Sequence, residues 1–501
     1  MQLKVAELDT NRFNLWSTLG FNFSLTCSPL VLSGYMAFNV GIGGSPYFFW
    51  CFLVVVVMQL ITASTLAELA SVFPHTSGQM FWTCTLAPPK YAPFMTYFNG
   101  IMTTLSWVFG CSGTLLLTSN FVLAFARVVS ESFSEEPYQA YLLSILFGII
   151  AILTNTVLAK FYPYIMKFMI VFLNCMVIFL FVSLLVKTNP KASTRTAFID
   201  VVNETGRPSN GLVFFLGFLP GLLSVCMLDT PAHMAEEVPR PHIDIPRVMV
   251  GSAALSAFAG LIMVIALIFC TTHPENILEL LGGQPILQIL WDAWNNKAYI
   301  IATCWINVIS FTNGQNSMVF AGSRIVWSFS ESGGLPFRKW LSYVDPRYQV
   351  PTNAVILFSG VATIITTLTL GASTVLNGIY GAGGVCTALS YGLPLALIIS
   401  QRHRLPERRY FNLGGFGLAM DIVALCWQII IAIFVCFPLY LPVAAETMNW
   451  ASVCAVIAMV VAVGNWFLVS GTFELPRALY VEALHGPRAT FEEMNGELIG
   501  S

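Results

Sequence analysis

Asp229 is the residue whose chemistry most needs an explanation, because it stands inside an apolar run from 211 to 236. A carboxylate near mid-membrane costs at least about 2.5 kcal/mol on insertion scales, so it needs a partner or a task. A cationic substrate amine or a coupling proton would meet that need. Capping a helix near the inner end, or pairing with an arginine, would meet it too. Pro220-Gly221 and then Ser224, Val225, Cys226 and Met227 precede the aspartate, and Pro231 follows it. A second interruption, Cys27-Ser28-Pro29-Leu30, falls in the middle of the first apolar run. Proline removes a backbone donor and clashes with the preceding turn, so both places are predicted to be breaks in a helix. Prolines also simply kink membrane helices; what favours a site is that these two breaks coincide with polar residues. Interrupted helices at matching positions of an inverted repeat are where many transporters hold their substrate.

Downstream, Thr303, Asn307, Ser310, Asn313 and Ser317 recur at intervals of three and four, which puts them on one helical face. Gln315 and Asn316 widen that stripe. In lipid such a face looks inward, towards substrate or ion, or towards neighbouring helices as hydrogen-bonding glue. His233, Glu236 and Glu237 lie closer to the helix end and read as structural or gating residues. The six histidines, His75, His233, His242, His273, His403 and His485, are scattered and not spaced for metal. An enzyme would need acids, bases or ligands converging at one depth, so neither catalytic residues nor a cofactor are expected.

These residues must be positioned by membrane-spanning helices. Charged residues make up 10% of the 501-residue chain and hydrophobic ones 56%, with a mean hydropathy of +0.74. Soluble proteins carry roughly 25% charged residues, so most of this surface must face lipid. A net charge of -2 without any basic stripe argues against nucleic acid. Most of the twelve cysteines sit in apolar runs and form no disulfide framework. The first run, 15–40, is too long for a signal-peptide core and reads as a span.

A crossing needs about 20 apolar residues. Runs that qualify are 15–40, 46–73, 93–127, 138–158, 163–187, 211–236, 247–271, 298–330, 352–370, 375–399, 417–438 and 447–469, twelve in all. The two predicted breaks then fall in spans one and six, five apart, as a five-plus-five repeat requires. Such a repeat would comprise residues 15–187 and 211–399, with 417–469 as two further spans. They are flanked by a short segment 1–14 and a polar tail 470–501. With the N-terminus inside, seventeen of the 23 Lys and Arg residues fall in cytoplasmic segments and six outside. That bias is the one expected of cytoplasmic loops, and it puts both termini inside. The sequon Asn203-Glu204-Thr205 falls in an outer loop, consistent with this orientation.

The segments AELASVFPHTSGQMFW (Ala67 to Trp82), DTPAHMAEEVPRPHIDIPR (Asp229 to Arg247), SRIVWSFSESGGLPF (Ser323 to Phe337) and VDPRYQVPTNA (Val344 to Ala354) carry a family resemblance. In order and spacing the chain resembles fungal permeases of the amino acid/polyamine/organocation superfamily. It is most similar to the amino acid/choline group, which includes GABA and choline permeases. The resemblance implies a five-plus-five inverted repeat and uptake of an amino acid or small amine across the plasma membrane, usually driven by protons. It implies a site between spans one, three, six and eight. Cys27 to Leu30 match the unwound part of span one, Ser224 to Asp229 that of span six, and Trp107 an aromatic of span three. Asn313 and Ser317 complete the expected substrate contacts, with Asp229, Glu236, Glu237 and Asn316 as coupling or gating candidates.

The chain also departs from that group. Ser28-Pro29 stands where Ser-Trp is common, and Ser77 replaces a usual glycine. Gly43-Gly44-Ser45-Pro46 replaces Gly-Gly-Pro, and Glu331-Ser332 replaces Arg-Asp. Leu173-Asn174 occupies the place of a mid-span lysine in many relatives, so a lysine mimic of a sodium site is not expected. A nutrient sensor of the same fold is the alternative function, although its kind often carries long soluble tails. The loop after span two, Thr83 to Pro93, lacks the charged motif of the major-facilitator fold.

Overall fold

The computed structural model describes residues 15–130, 132–273, 281–371, 375–402, 405, 409–443 and 448–476. The expected N-terminal segment 1–14 and the tail from 477 onwards therefore lie outside the described residues. So do several loop cations of the orientation argument, among them Arg404 and Arg408, together with His403 and His485.

The first expected span is two helices, α1 (Leu15–Thr26) and α2 (Ser28–Tyr35). Cys27 between them takes a left-handed backbone, φ 39° and ψ 46°, and Pro29 falls in the first turn of α2. Proline is tolerated there because that N–H has no helical partner in any case. Next come α3 (Gly44–Val72), the short α4 (Gln79–Leu86) and α5 (Ala92–Val129). At 38 residues α5 is about 57 Å long, well past a hydrocarbon core of about 30 Å. Helices α6 (Pro137–Asn155) and α7 (Tyr162–Lys187) follow, with Glu136 and Gln139 closing a capping box at the start of α6.

After the small α8 (Thr194–Phe198), the sixth expected span is more fragmented than the sequence implied. It consists of α9 (Asn210–Leu216), α10 (Leu219–Ser224), an unwound stretch, and a tight 3-10 segment, Ala232–Glu237. Met227 in the unwound stretch has φ 53°. Beyond it lie α11 (Pro241–Cys270), α12 (Pro285–Ala293) and α13 (Lys297–Glu331). The last part comprises α14 (Arg338–Leu341), α15 (Thr352–Ile365), α16 (Val375–Gln401), α17 (Gly417–Phe434) and α18 (Ala451–Val469).

Among the described residues, nine helices are long and apolar enough to cross a membrane. Expected spans one and six are absent from these nine because they are broken. The eighth, α13, is 35 residues long, but its polar stripe lowers its mean hydropathy. The chain is thus a polytopic all-helical membrane protein.

At its centre α5 packs along both α13 and α16, while α3 packs along α11 and α6 along α15. A glycine allows one of these approaches: a Cβ at Gly260 of α11 would lie 2.7 Å from the Phe52 ring of α3. Many outward side chains of α7 are exposed and apolar, including Phe168, Val171, Ile178 and Val186, as a lipid-facing surface requires.

Candidate substrate site and gate

The two broken helices meet. The Ser28 hydroxyl donates to the Ser224 carbonyl at 2.5 Å, joining the start of α2 to the end of α10. Gln59 of α3 donates to the Val225 carbonyl at 2.8 Å. Two carbonyls released by the second break are thereby satisfied away from water, which keeps an unwound segment affordable inside a membrane.

Beside the junction lies a cavity of about 110 Å³. Pockets for drug-sized ligands measure about 300–1,000 Å³, so this space suits a small solute. Cys27 lines it from the first break, and Cys226 and Met227 line it from the second. Helix α5 contributes Ser106, Gly110 and Thr114, α13 contributes Ser310 and Gly314, and α16 contributes Tyr380, Gly384 and Tyr391. Tyr35 of α2 also faces it, edge-on to Tyr380 with ring centroids 5.9 Å apart. Among the described residues, its wall contains no Asp, Glu, Lys, Arg or His. A larger cavity of about 250 Å³ adjoins it towards the end of the bundle bearing Phe38, Tyr440 and Asn449; the two share Leu219, Leu222, Ile431 and Val435.

Asp229 does not reach the cavity wall. Its carboxylate is buried and receives four donors from four parts of the chain. Oδ2 accepts from Gln79 Nε2 at 2.7 Å and Trp107 Nε1 at 3.1 Å, and lies 2.8 Å from His233 Nε2. Oδ1 accepts from the Tyr391 hydroxyl at 2.6 Å. Of these partners only Tyr391 also lines the cavity. Charge-assisted bonds of this kind offset the desolvation that burial imposes on a carboxylate. The arrangement closes the cavity floor by tying α4, α5 and α16 to the second break.

The motif before α4 makes this closure sterically feasible. Gly78 adopts φ 53°, and a Cβ there would come 2.8 Å from the His233 ring. The ring therefore fits only against a glycine, and its Nδ1 reaches the Thr76 carbonyl at 2.8 Å.

Further ionic ties lie at the same end of the bundle. Glu237 pairs with Arg324 of α13 at 3.0 Å, both side chains buried. Glu68 of α3 pairs with Arg402 and Arg409, each at 2.7 Å, and Arg402 also holds Asp421 of α17 at 2.5 Å. Glu236 instead faces a cavity of about 600 Å³ that His75, Ser77 and Glu331 help to line. Past α18, Glu474 pairs with Arg338 at 2.8 Å, and that guanidinium holds its carboxyl below the ordinary glutamate range.

The structure thus brings Cys27, Cys226 and Met227 to the cavity, while Ser28, Pro29, Leu30, Ser224 and Val225 form the breaks behind it. Trp107 and Asp229 belong to the floor. Asn313 and Ser317 are buried away from the cavity wall: Ser317 accepts from Tyr162 at 3.3 Å, and neither amide atom of Asn313 makes a hydrogen bond. Asn316 accepts from Asn155 at 3.1 Å through its backbone carbonyl, not its side chain. The upper stripe is not interhelical glue, since Thr303, Asn307 and Ser310 each donate to a carbonyl of their own helix.

Gln79, Tyr391, Tyr35 and Tyr380 are site residues that sequence reasoning did not single out. For His233 a signal did exist, because its i, i+4 spacing from Asp229 places both on one helical face.

Comparison with known proteins agrees with this architecture. The choline transporter of Saccharomyces cerevisiae is 29% identical over 451 residues, covering 89% of this chain and 78% of that protein. The swainsonine transporter swnT of Arthroderma benhamiae is 26% identical, covering 93% of each chain. Amino-acid permease 2 of Neurospora crassa is 25% identical, covering 95% of this chain and 87% of its own. The family model for amino acid permeases matches residues 13–461. With a small-solute cavity at two helix breaks and a match over nearly its whole length, the chain belongs to the amino acid permease family and is a membrane transporter rather than an enzyme.

Proposed function

We propose that the protein is a proton-coupled secondary permease that imports an amino acid or small amine, such as GABA, choline or a related compound. The observation that carries this reading is the cavity bounded by Cys27 at one helix break and by Cys226 and Met227 at the other. Half-helix ends direct backbone dipoles at a solute held between them.

Further support comes from the packing of spans five apart. α2 touches α10, α3 touches α11, α5 touches α13 and α6 touches α15, which is what a two-fold relation between residues 15–187 and 211–399 would produce. Ten spans, with the broken first and sixth included, follow from that relation, and α17 and α18 bring the number to twelve. The charge bias of the loops puts both termini in the cytoplasm and the adjoining larger cavity on the outer side. In that orientation the cavity is reached from outside, and the Asp229 network and the Arg324–Glu237 pair close the inner side. The names of the relatives favour organic amines and amino acids as cargo.

An uptake screen of amino acids, GABA, choline and polyamines, in cells lacking their own permeases, tests the reading. Accumulation of at least one compound is expected. Specific binding without accumulation of any compound would overturn it in favour of a sensor.

A further inference from the structure

We propose that Asp229 and His233 share one exchangeable proton, and that this pair is the site through which the permease couples to protons. The proposal rests on the reading of the chain as a permease and names the residues that carry the ion.

The geometry fixes the proton inventory. His233 Nδ1 lies 2.8 Å from the Thr76 carbonyl oxygen, which can only accept, so Nδ1 carries a hydrogen. His233 Nε2 lies 2.8 Å from Asp229 Oδ2. A bare nitrogen lone pair facing an ionised carboxylate oxygen at that distance would be repulsive, so a proton lies between them. Whether it sits on the imidazole or on the carboxyl group, the pair holds one proton more than a neutral ring with an ionised carboxylate. Its net charge is then zero. Both side chains are at most 2% exposed, and a neutral pair is what so buried a place favours.

The groups facing the pair do not replace this proton. From α4 and α5 come Gln79 and Trp107, which are uncharged donors. From α16 come the phenols Tyr391 and Tyr380, and the second break contributes the thiol Cys226. On the 3-10 segment, Glu237 is matched by Arg324 of α13, and Glu236 faces the inner cavity. Asp244 of α11 is matched by Arg240, and the His75 ring stacks on Phe81. Loss of the shared proton would therefore leave a net negative charge in a closed, dry place. Release must accompany opening of the floor, when water replaces the lost partner.

Two cavities flank the pair. Tyr391 lines the substrate cavity and donates to Asp229 Oδ1. Once the pair has released its proton, that hydroxyl can pass its hydrogen to Oδ1 while its own oxygen accepts one from the cavity. On the other side, Thr76 and Gly78 contact the imidazole, and their neighbours His75 and Ser77 line the inner cavity. A proton taken up through Tyr391 leaves to water on that side once the floor opens. One proton crosses per cycle.

The test compares wild-type protein with His233→Gln in proteoliposomes, using radiolabelled choline, GABA and putrescine. At one proton per solute, a gradient of one pH unit supports about tenfold accumulation of a neutral solute. In His233→Gln that gradient-driven accumulation is expected to vanish while solute counterflow remains measurable, which a misfolded protein would not give. An unchanged response to the gradient in the variant would overturn the proposal while leaving the permease reading intact. If the wild type accumulates none of the three, infrared difference spectra taken over a pH titration decide. A carboxyl or imidazole band that titrates in wild type and is missing in both Asp229→Asn and His233→Gln supports the shared proton. Identical titration spectra in all three proteins would overturn it.

Discussion

Asp229 shows what a single buried charge can organise. Its four donors come from α4, α5, α16 and the 3-10 segment, so the carboxylate acts as a clasp. Asp229→Asn keeps the volume but turns one acceptor oxygen into a donor, setting it against partners that also donate. Uptake is expected to fall to background while the protein still reaches the membrane, measured by transport and surface labelling side by side. Normal kinetics in this variant would make the clasp irrelevant to transport. The sequence marked Asp229 as unusual because charge is rare in an apolar run. It could not reveal the partners: Trp107 and Tyr391 lie 122 and 162 residues away along the chain, and periodicity reports only on neighbours within one element.

At the scale of elements, the breaks were legible because proline acts locally. Cys27-Ser28-Pro29 divides the first span where expected, and the sixth unwinds after Ser224. The additional interruption at Gly217-Phe218 was not foreseen. The polar stripe of α13 is one buried face in which Ser310 lines the cavity, while Thr303 and Asn307 turn back to their own helix and Asn313 and Ser317 lie away from the cavity wall. Side-chain spacing gives a face but not what that face meets. Helix α13 is also joined to the 3-10 segment by the buried Arg324–Glu237 pair. Arg324→Ala would strand a buried carboxylate, a loss worth about 3–5 kcal/mol. Thermal unfolding in detergent is expected to shift down markedly for that variant. Replacing both partners together by Leu and Met should recover much of the loss; equal damage from single and double changes would deny the pair its role.

For the molecule as a whole, span positions followed from the length of apolar runs, since hydrocarbon thickness sets how many residues a helix needs. The expected eighth span, 298–330, corresponds to Lys297–Glu331, and the expected twelfth, 447–469, to Ala451–Val469. How the spans pack could not be read in this way. That α5 would lie centrally against α13 and α16 depends on small residues and shape across distant segments. The proposed proton coupling belongs to this whole assembly. Collapsing the proton gradient is expected to abolish accumulation, whereas replacing sodium with potassium should leave it unchanged, as followed by radiolabelled uptake. The reverse pattern would rule out the Asp229–His233 pair as the coupling site.

A solute held beside the two helix breaks must share its space with any side chain introduced there. Gly384 of α16 lines the cavity, and its nearest neighbour to an added Cβ is Val435 at 3.6 Å, so a larger residue can enter without striking backbone. Gly360 of α15 has no atom within 4 Å of an added Cβ and lies away from the cavity. The most direct measurement is therefore uptake of the transported compound by Gly384→Leu and Gly360→Leu at matched surface levels. Loss of uptake in the first, with retention in the second, is the expected result. Full uptake by Gly384→Leu would contradict the placement of the substrate between the broken helices.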